Sequence, residues 1–257
     1  MRHLVLALAL LAPATHAAAA EQHDPDAPYR VAIEMDQDRR TTLDSAPLRR
    51  RFAATGLVRC GGAVGTAQLT LRNDMITTAA HVLIGADGKP RKGCRFESNL
   101  GVTVAIDMST LQAGSKRPLA EPATRDWAVA RLAGPIAGAA PYRLGAAGAL
   151  PASVMMCAGG NQSATQMGAE ECRARHVIST AASGVREVAI DCSAAAGSSG
   201  AALIDGNSIV AIHVGYRSTH PNVPAAFSTQ HYNFAITVDG PFRAAVLAGA
   251  ARSAARP

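Results

Sequence analysis

Hydrophobic positions in this chain fall into short alternating runs rather than helical stripes. From Gly56 the pattern reads Gly56-Leu57-Val58-Arg59-Cys60, then Ala63-Val64-Gly65-Thr66-Ala67-Gln68-Leu69-Thr70-Leu71, and Met75-Ile76-Thr77-Thr78 after the turn residues Asn73-Asp74. A period of two sends alternate side chains to opposite faces, so these runs predict two or three short antiparallel strands. Further strands are predicted at Cys94 to Glu97, Val102 to Ile106, Trp127 to Leu132, Ser153 to Cys157, Arg173 to Ser179, Val185 to Cys192, Ala201 to Ile204, Ser208 to Val214 and Tyr232 to Ile236. Gly, Pro and Asn punctuate them at the spacing of a sandwich or barrel, so the fold class is all-β. Only the C-terminus reads as a helix. Asp239 can cap it, and Phe242, Ala245, Val246 and Leu247 fall along one face, with 250–257 expected to fray. A Gly-, Pro- and Ala-rich stretch from Gly134 to Gly148 reads as a linker between two strand-rich halves, 56–140 and 141–257.

The N-terminus departs from this texture. Residues 1–20 carry Arg2 and His3, an apolar run from Leu4 to Ala12, Pro13 and small residues suited to cleavage near Ala17 or Ala20, the pattern of a secretory signal peptide. The run is too short to span a bilayer and no later window is long and uncharged enough to do so, so a soluble, secreted or periplasmic protein without a membrane anchor is expected. Residues 21–55 are polar and proline-punctuated, with one strand-like run from Tyr29 to Met35. They read as an extension or a pro-segment. Arg49-Arg50-Arg51 fits a processing site or a solvated linker.

About 235 residues would remain after cleavage, enough for one large domain or two half-domains with a full core. The net charge of +6 is spread over many arginines and aromatics are few, which argues against nucleic acid as a partner. Five cysteines in an exported chain predict disulfides. The preferred pairs are Cys60 with Cys94 and Cys172 with Cys192, leaving Cys157 over, although sequence leaves other connectivities open. No Cys-x-x-Cys or clustered Cys/His spacing points to a metal, and no spacing implies a cofactor.

Chemistry concentrates at three places. Gly197-Ser198-Ser199-Gly200, just before a strand, presents Ser199 as a nucleophile. A serine needs a histidine base, a carboxylate to orient that base, and backbone N–H groups for the developing oxyanion. Thr77-Thr78-Ala79-Ala80-His81 supplies a histidine at the end of a strand, and Asp126-Trp127-Ala128-Val129 an aspartate at the mouth of another. Asp107 also adjoins a strand and competes with Asp126; the Asp-Trp-Ala-Val context favours Asp126.

Thr-Ala-Ala-His, Asp-Trp-Ala-Val and Gly-Ser-Ser-Gly in that order resemble the trypsin-like (chymotrypsin-fold) serine peptidases, above all the secreted bacterial branch that includes the V8-like glutamyl endopeptidases. Cys60-Gly61-Gly62 and Ile209-Val210-Ala211-Ile212-His213-Val214-Gly215 fit as well, and the resemblance runs from about Gly56 to Leu247. It implies two antiparallel six-stranded β-barrels with the site in the cleft between them, acting on protein or peptide substrates; a monomer is expected. In that scheme His81 is the general base, Asp126 orients it, Ser199 attacks, and Gly197 with Ser199 supplies the oxyanion donors. Ser193 and Ala194 belong to a wall of the specificity pocket, and Val214 and Gly215 to the strand that pairs with substrate. His213 stands where glutamate-preferring members carry a pocket histidine, yet it could equally fill a strand position.

There are departures too. Ser198 replaces the aspartate that in trypsin captures a freshly cut N-terminus, so activation by that salt bridge is not expected. Ala201 replaces a usual glycine, Ala194 lacks the hydroxyl common in acid-preferring relatives, and Ser193 argues against an Arg/Lys pocket. Ala201 and the long N-terminal segment leave open a catalytically silent binding protein of the same fold. An α/β-hydrolase is disfavoured, because its order of Ser, acid and His and its alternating helices are missing.

Overall fold

The computed structural model describes residue 29, residues 35–161, 163, 165–221 and 223–251. The expected signal peptide, most of the run from Tyr29 to Met35, and 252–257 lie outside the described residues.

A two-residue strand β1 (Thr41–Thr42) and helix α1 (Ala46–Arg51) lead into the first barrel. Its strands are β2 (Thr55–Cys60), β3 (Ala63–Leu69), β4 (Met75–Thr78), β5 (Arg95–Ser98), β6 (Thr103–Ala113) and β7 (Ala128–Leu132), closed in the order β2-β3-β4-β7-β6-β5. Helix α2 (Ala80–Leu83) follows β4, and a 3₁₀ turn (Ala123–Arg125) precedes β7. After the short β8 (Arg143–Leu144) come β9 (Ala152–Ala158), β10 (Gly168–Thr180), β11 (Arg186–Ile190), β12 (Ala202–Asp205), β13 (Ser208–Ser218) and β14 (His231–Thr237). They run β10-β11-β14-β13-β12-β9, and pairing of β9 with β10 closes the second barrel. Closure gives every barrel strand two partners, so a chain built of short strands satisfies its backbone without a helical layer.

Each strand predicted from Gly56 onward is present. β6, β10 and β13 outrun their predicted lengths, and register shifts interrupt all three. An inserted residue breaks the alternation that marks a strand in sequence. One core cluster fills the first barrel around Leu69, Met75, Ile76 and Phe96 and continues into Ile212, Val214 and Phe234 of the second. Another lies among Val154, Met156, Ile190 and Leu203.

The C-terminal helix α3 (Gly240–Ala251) lies on the first barrel. Phe242 stacks on Trp127 at 5.2 Å between centroids, and Arg131 Nη1 donates to the Gly249 carbonyl at 3.3 Å. Phe242, Ala245 and Val246 are buried as the pattern predicts, whereas Leu247 is half exposed. The stretch between the halves is packed: Ile136 and Tyr142 are buried, Tyr142 Oη shares a hydrogen bond with Thr55 Oγ1, and β8 runs parallel to β13.

Residues 35–54 fold onto the barrels. β1 pairs with β10, Leu43 and Phe52 join a cluster with Leu57, Met167 and Ala169, and Ser45 caps α1 by accepting from the Leu48 N–H. Arg49, Arg50 and Arg51 occupy the last turn of α1, where cations meet the negative end of the helix. Disulfides join Cys60 to Cys94 and Cys172 to Cys192. Cys157 is the free cysteine, and burial pushes its thiol up to about 12.

Candidate active site

The end of β4 delivers the histidine. Thr78 donates through Oγ1 to the Thr66 carbonyl at 2.7 Å, Ala79 is extended, and α2 opens with Ala80 and His81. Ala79 and Ala80 are fully buried, so only small side chains fit beside the imidazole. The 3₁₀ turn before β7 ends at Asp126, which is wholly buried. Asp126 Oδ1 accepts from the His81 main-chain N–H at 2.9 Å, and Oδ2 lies 2.6 Å from His81 Nδ1. The main-chain contact anchors the carboxylate while Oδ2 fixes the ring, an arrangement that suits a proton on Nδ1 directed at the carboxylate. Nε2 is buried and has no hydrogen-bond partner among the described residues. Asp107, the competing carboxylate, accepts instead from Ser109 within β6, where the pairing with β7 shifts register.

Ser199 sits in a turn latched to the first barrel. The Ser198 N–H donates to the Ala195 carbonyl at 2.9 Å, the Ala195 N–H returns a bond to Ser198 Oγ at 3.0 Å, and the Thr66 N–H donates to the Ser199 carbonyl at 2.8 Å. Thr66 Oγ1 also donates to the Gly197 carbonyl at 2.7 Å. Gly197 and Gly200 have φ of 105° and 87°, a region that L side chains rarely adopt. A Cβ on Gly200 would lie 2.2 Å from Thr78 Oγ1 and 2.8 Å from the Ala79 nitrogen. The serine turn is therefore pressed against the residues that precede His81.

The backbone N–H groups of Gly197 and Ser199 have no acceptor among the described residues, whereas the N–H groups of Ser198 and Gly200 are bonded internally. Two unpaired donors on this turn suit an anion that forms only during reaction. No hydrogen bond joins Ser199 Oγ to His81 among the described residues. Such a bond commonly tightens only in a substrate complex.

The expected pocket residues fall into two groups. His213 is buried on β13, its Nδ1 3.3 Å from the Ser198 carbonyl oxygen. Burial pushes its pKa down to about 4, against the opposing pull of the Ser198 carbonyl, so the ring is neutral at neutral pH. β13 pairs with β12 as far as Ile212 and with β14 onward to Ser218, so among the described residues no strand pairs with its other edge at Val214 and Gly215. Ala194 is buried. Ser193 is turned toward the N-terminal segment: its Oγ accepts from the Arg39 N–H at 3.1 Å and lies 3.3 Å from the buried carboxylate of Glu170.

Three contributors escaped the sequence reading. Tyr29 donates to Asp126, Arg40 reaches Ser198, and Thr66 holds the serine turn. Only Thr66 carried a signal, as one of two polar residues, with Gln68, on the largely apolar β3. Cys172, Asp191 and Cys192 lie close enough together to resemble a metal site, but both sulfurs are spent in a disulfide and the carboxylate is engaged by Arg39 and Arg175.

No family model and no curated protein matches the chain. Solved structures do. A Glu endopeptidase in complex with MPD superposes with a TM-score of 0.67 at 13% identity, covering 85% of this chain and 100% of that one. The protease Anisep from Arthrobacter nicotinovorans gives 0.56 at 12% identity, with 77% and 96% covered. The thermostable serine protease AL20 from an extremophilic microorganism gives 0.53 at 13%, with 80% and 100% covered. The chain thus has the two-barrel fold of trypsin-like serine peptidases, as the motif resemblance implied.

Proposed function

We propose that the protein is a serine endopeptidase acting through Ser199, His81 and Asp126. The observation that carries this reading is the buried contact between His81 Nδ1 and Asp126 Oδ2, which leaves Nε2 uncommitted beside a latched serine turn. Ser199 Oγ attacks the substrate carbonyl carbon as Nε2 takes its proton. The oxyanion draws on the N–H groups of Gly197 and Ser199, and collapse expels the amine, which takes the proton from the imidazolium. Water then repeats the sequence on the acyl-enzyme. Asp126 stabilises the imidazolium formed in each half without itself gaining the proton. Substrate lies extended along the free edge at Val214 and Gly215 and adds a strand by main-chain hydrogen bonds.

His213 is the group through which an acidic side chain next to the cleaved bond would gain preference. Because the ring is neutral, that preference requires the incoming carboxylate to draw a proton onto it. The disulfides suit a secreted or periplasmic setting. A fluorophosphonate probe tests the catalytic reading: it should add to Ser199 in the wild type, as read by peptide mass, and not label Ser199→Ala. That no hydrogen bond joins Ser199 Oγ to His81 among the described residues is the observation that favours the rival reading, a silent binding protein of this fold. An unlabelled wild type that still captures peptides would establish that rival.

A further inference from the structure

Between Tyr29 and Arg40 the chain meets the site twice, at points far apart in it. Tyr29 Oη lies 2.6 Å from Asp126 Oδ2, with its ring edge-on to Phe234 at 5.5 Å between centroids. Arg40 is buried, and its guanidinium donates to the Gly159 carbonyl at 2.9 Å, to the Gly160 carbonyl at 2.9 Å and to Ser198 Oγ at 3.1 Å. We infer that Tyr29 and Arg40 are positioning residues of the hydrolytic site, Tyr29 acting through Asp126 and Arg40 through Ser198, and that they remain part of the working protein. The inference rests on the proposed peptidase reading.

Consider Tyr29 first. Asp126 Oδ2 receives His81 Nδ1 and the phenol, and Oδ1 receives the His81 main chain. Burial, and next the Asp126 charge, raise the phenol well above its ordinary range, so it stays protonated and can only donate to the carboxylate. Its single proton faces two acceptors, Asp126 and the Pro118 carbonyl at 2.7 Å, and the carboxylate is the stronger. The phenol therefore fixes the carboxylate plane and draws charge from the oxygen that faces the imidazole.

Arg40 works on the opposite partner. Asp38 binds it through both carboxylate oxygens, Oδ1 2.8 Å from Nε and Oδ2 2.6 Å from Nη2, which offsets the cost of burying a cation. The remaining donors converge on Ser198 and on the carbonyls of Gly159 and Gly160, and Ser198 Oγ itself donates to the Gly159 carbonyl at 2.7 Å. Ser198 is the residue before the nucleophile. A guanidinium fork seated beneath it sets the height of the whole turn, including the donors on Gly197 and Ser199. Loss of the residues before Arg49-Arg50-Arg51 would strip both contacts, so these residues complete the site rather than mask it.

The experiment uses the full exported chain with Tyr29→Phe, Arg40→Met and Arg40→Lys. Tyr29→Phe keeps the ring on Phe234, so the melting temperature should hold while kcat falls about tenfold at nearly constant KM. The acid limb of kcat/KM should also move to higher pH, because a carboxylate with one donor fewer holds the imidazole proton more firmly. The one-dimensional proton NMR resonance of His81 Nδ1–H should shift, a readout that needs no turnover. Arg40→Met should lower kcat about a hundredfold through displacement of the turn, with partial rescue in Arg40→Lys. A wild type that cleaves peptides, together with a Tyr29→Phe protein of unchanged kcat, acid limb and resonance, would overturn this inference and leave the peptidase reading standing. A wild type that neither cleaves nor labels would overturn both.

Discussion

Replacing Asp126 by Asn removes one charge and almost no volume, and the consequences can be worked out atom by atom. The His81 main-chain N–H cannot turn away, so the amide oxygen must stay where Oδ1 was. The amide NH2 then stands at the Oδ2 position, facing the Tyr29 hydroxyl and His81 Nδ1, both of which donate in the wild type. Tyr29 can turn its proton to the Pro118 carbonyl at 2.7 Å. The imidazole has no such alternative: it must present a bare Nδ1 and carry its proton on Nε2, the nitrogen needed to accept from Ser199. A wrong tautomer of this kind costs about four decades of kcat, or about 5.5 kcal/mol of transition-state stabilisation. The folded state should lose far less, about 1–3 kcal/mol for the disturbed buried hydrogen bonds. Steady-state hydrolysis of a peptide anilide, with a thermal melt to confirm folding, separates the two effects. A folded Asp126→Asn protein that retains more than about a tenth of wild-type kcat would refute the relay, since so small a loss is within reach of one lost hydrogen bond.

Gly200→Ala should lower kcat at least about a hundredfold, because the new Cβ meets Thr78 Oγ1 at 2.2 Å and φ of 87° is strained for alanine, so the turn must back away from His81; unchanged kinetics would show that the turn is not tightly seated. Glu187→Gln neutralises a buried carboxylate that holds the guanidinium of Arg217 at 2.7 and 3.0 Å in the second barrel. The expected loss is about 3–5 kcal/mol, or about 6 to 20 °C in melting temperature, much of it recovered by Glu187→Met with Arg217→Met; a fall under about 1 kcal/mol would contradict the assignment. His213 links stability to acid. Its pKa is pushed down to about 4 in the folded chain from an ordinary 6.5, so only the unfolded state binds the proton in between. Stability is full above 6.5 and is lost as pH falls through that window, by about 3 kcal/mol from this residue. Urea melts at pH 7 and pH 4.5 should show a drop that is smaller in His213→Gln, and an equal drop in both proteins would remove His213 as its source.

The strands were legible because each side-chain alternation is local and reports which face meets the barrel core. Ser199, His81 and Asp126 were legible because each sits in a short motif. How His81 meets Asp126, and how the Ser199 turn is held to the first barrel, was available only through the family resemblance, since it depends on barrel closure and on latches such as Thr66 to Gly197, a contact between residues 131 positions apart. Tyr29 and Arg40 reach across 97 and 158 positions to Asp126 and Ser198, and nothing in their own surroundings announces a partner. Helix α1 was hidden for another reason. Six residues, three of them arginine, carry no apolar stripe, and only the Ser45-Ala46-Pro47 start hints at a cap. Leu247 follows the helical pattern but stays half exposed, because the first barrel receives the Phe242, Ala245 and Val246 side of α3.

Purified full-length wild type and Ser199→Ala, assayed side by side on a peptide library at pH 8, put the central claim at greatest risk. The account predicts cleavage at internal peptide bonds by the wild type and a loss of about six decades in kcat for the variant, with an unchanged melting temperature. Equal cleavage by both proteins would contradict it.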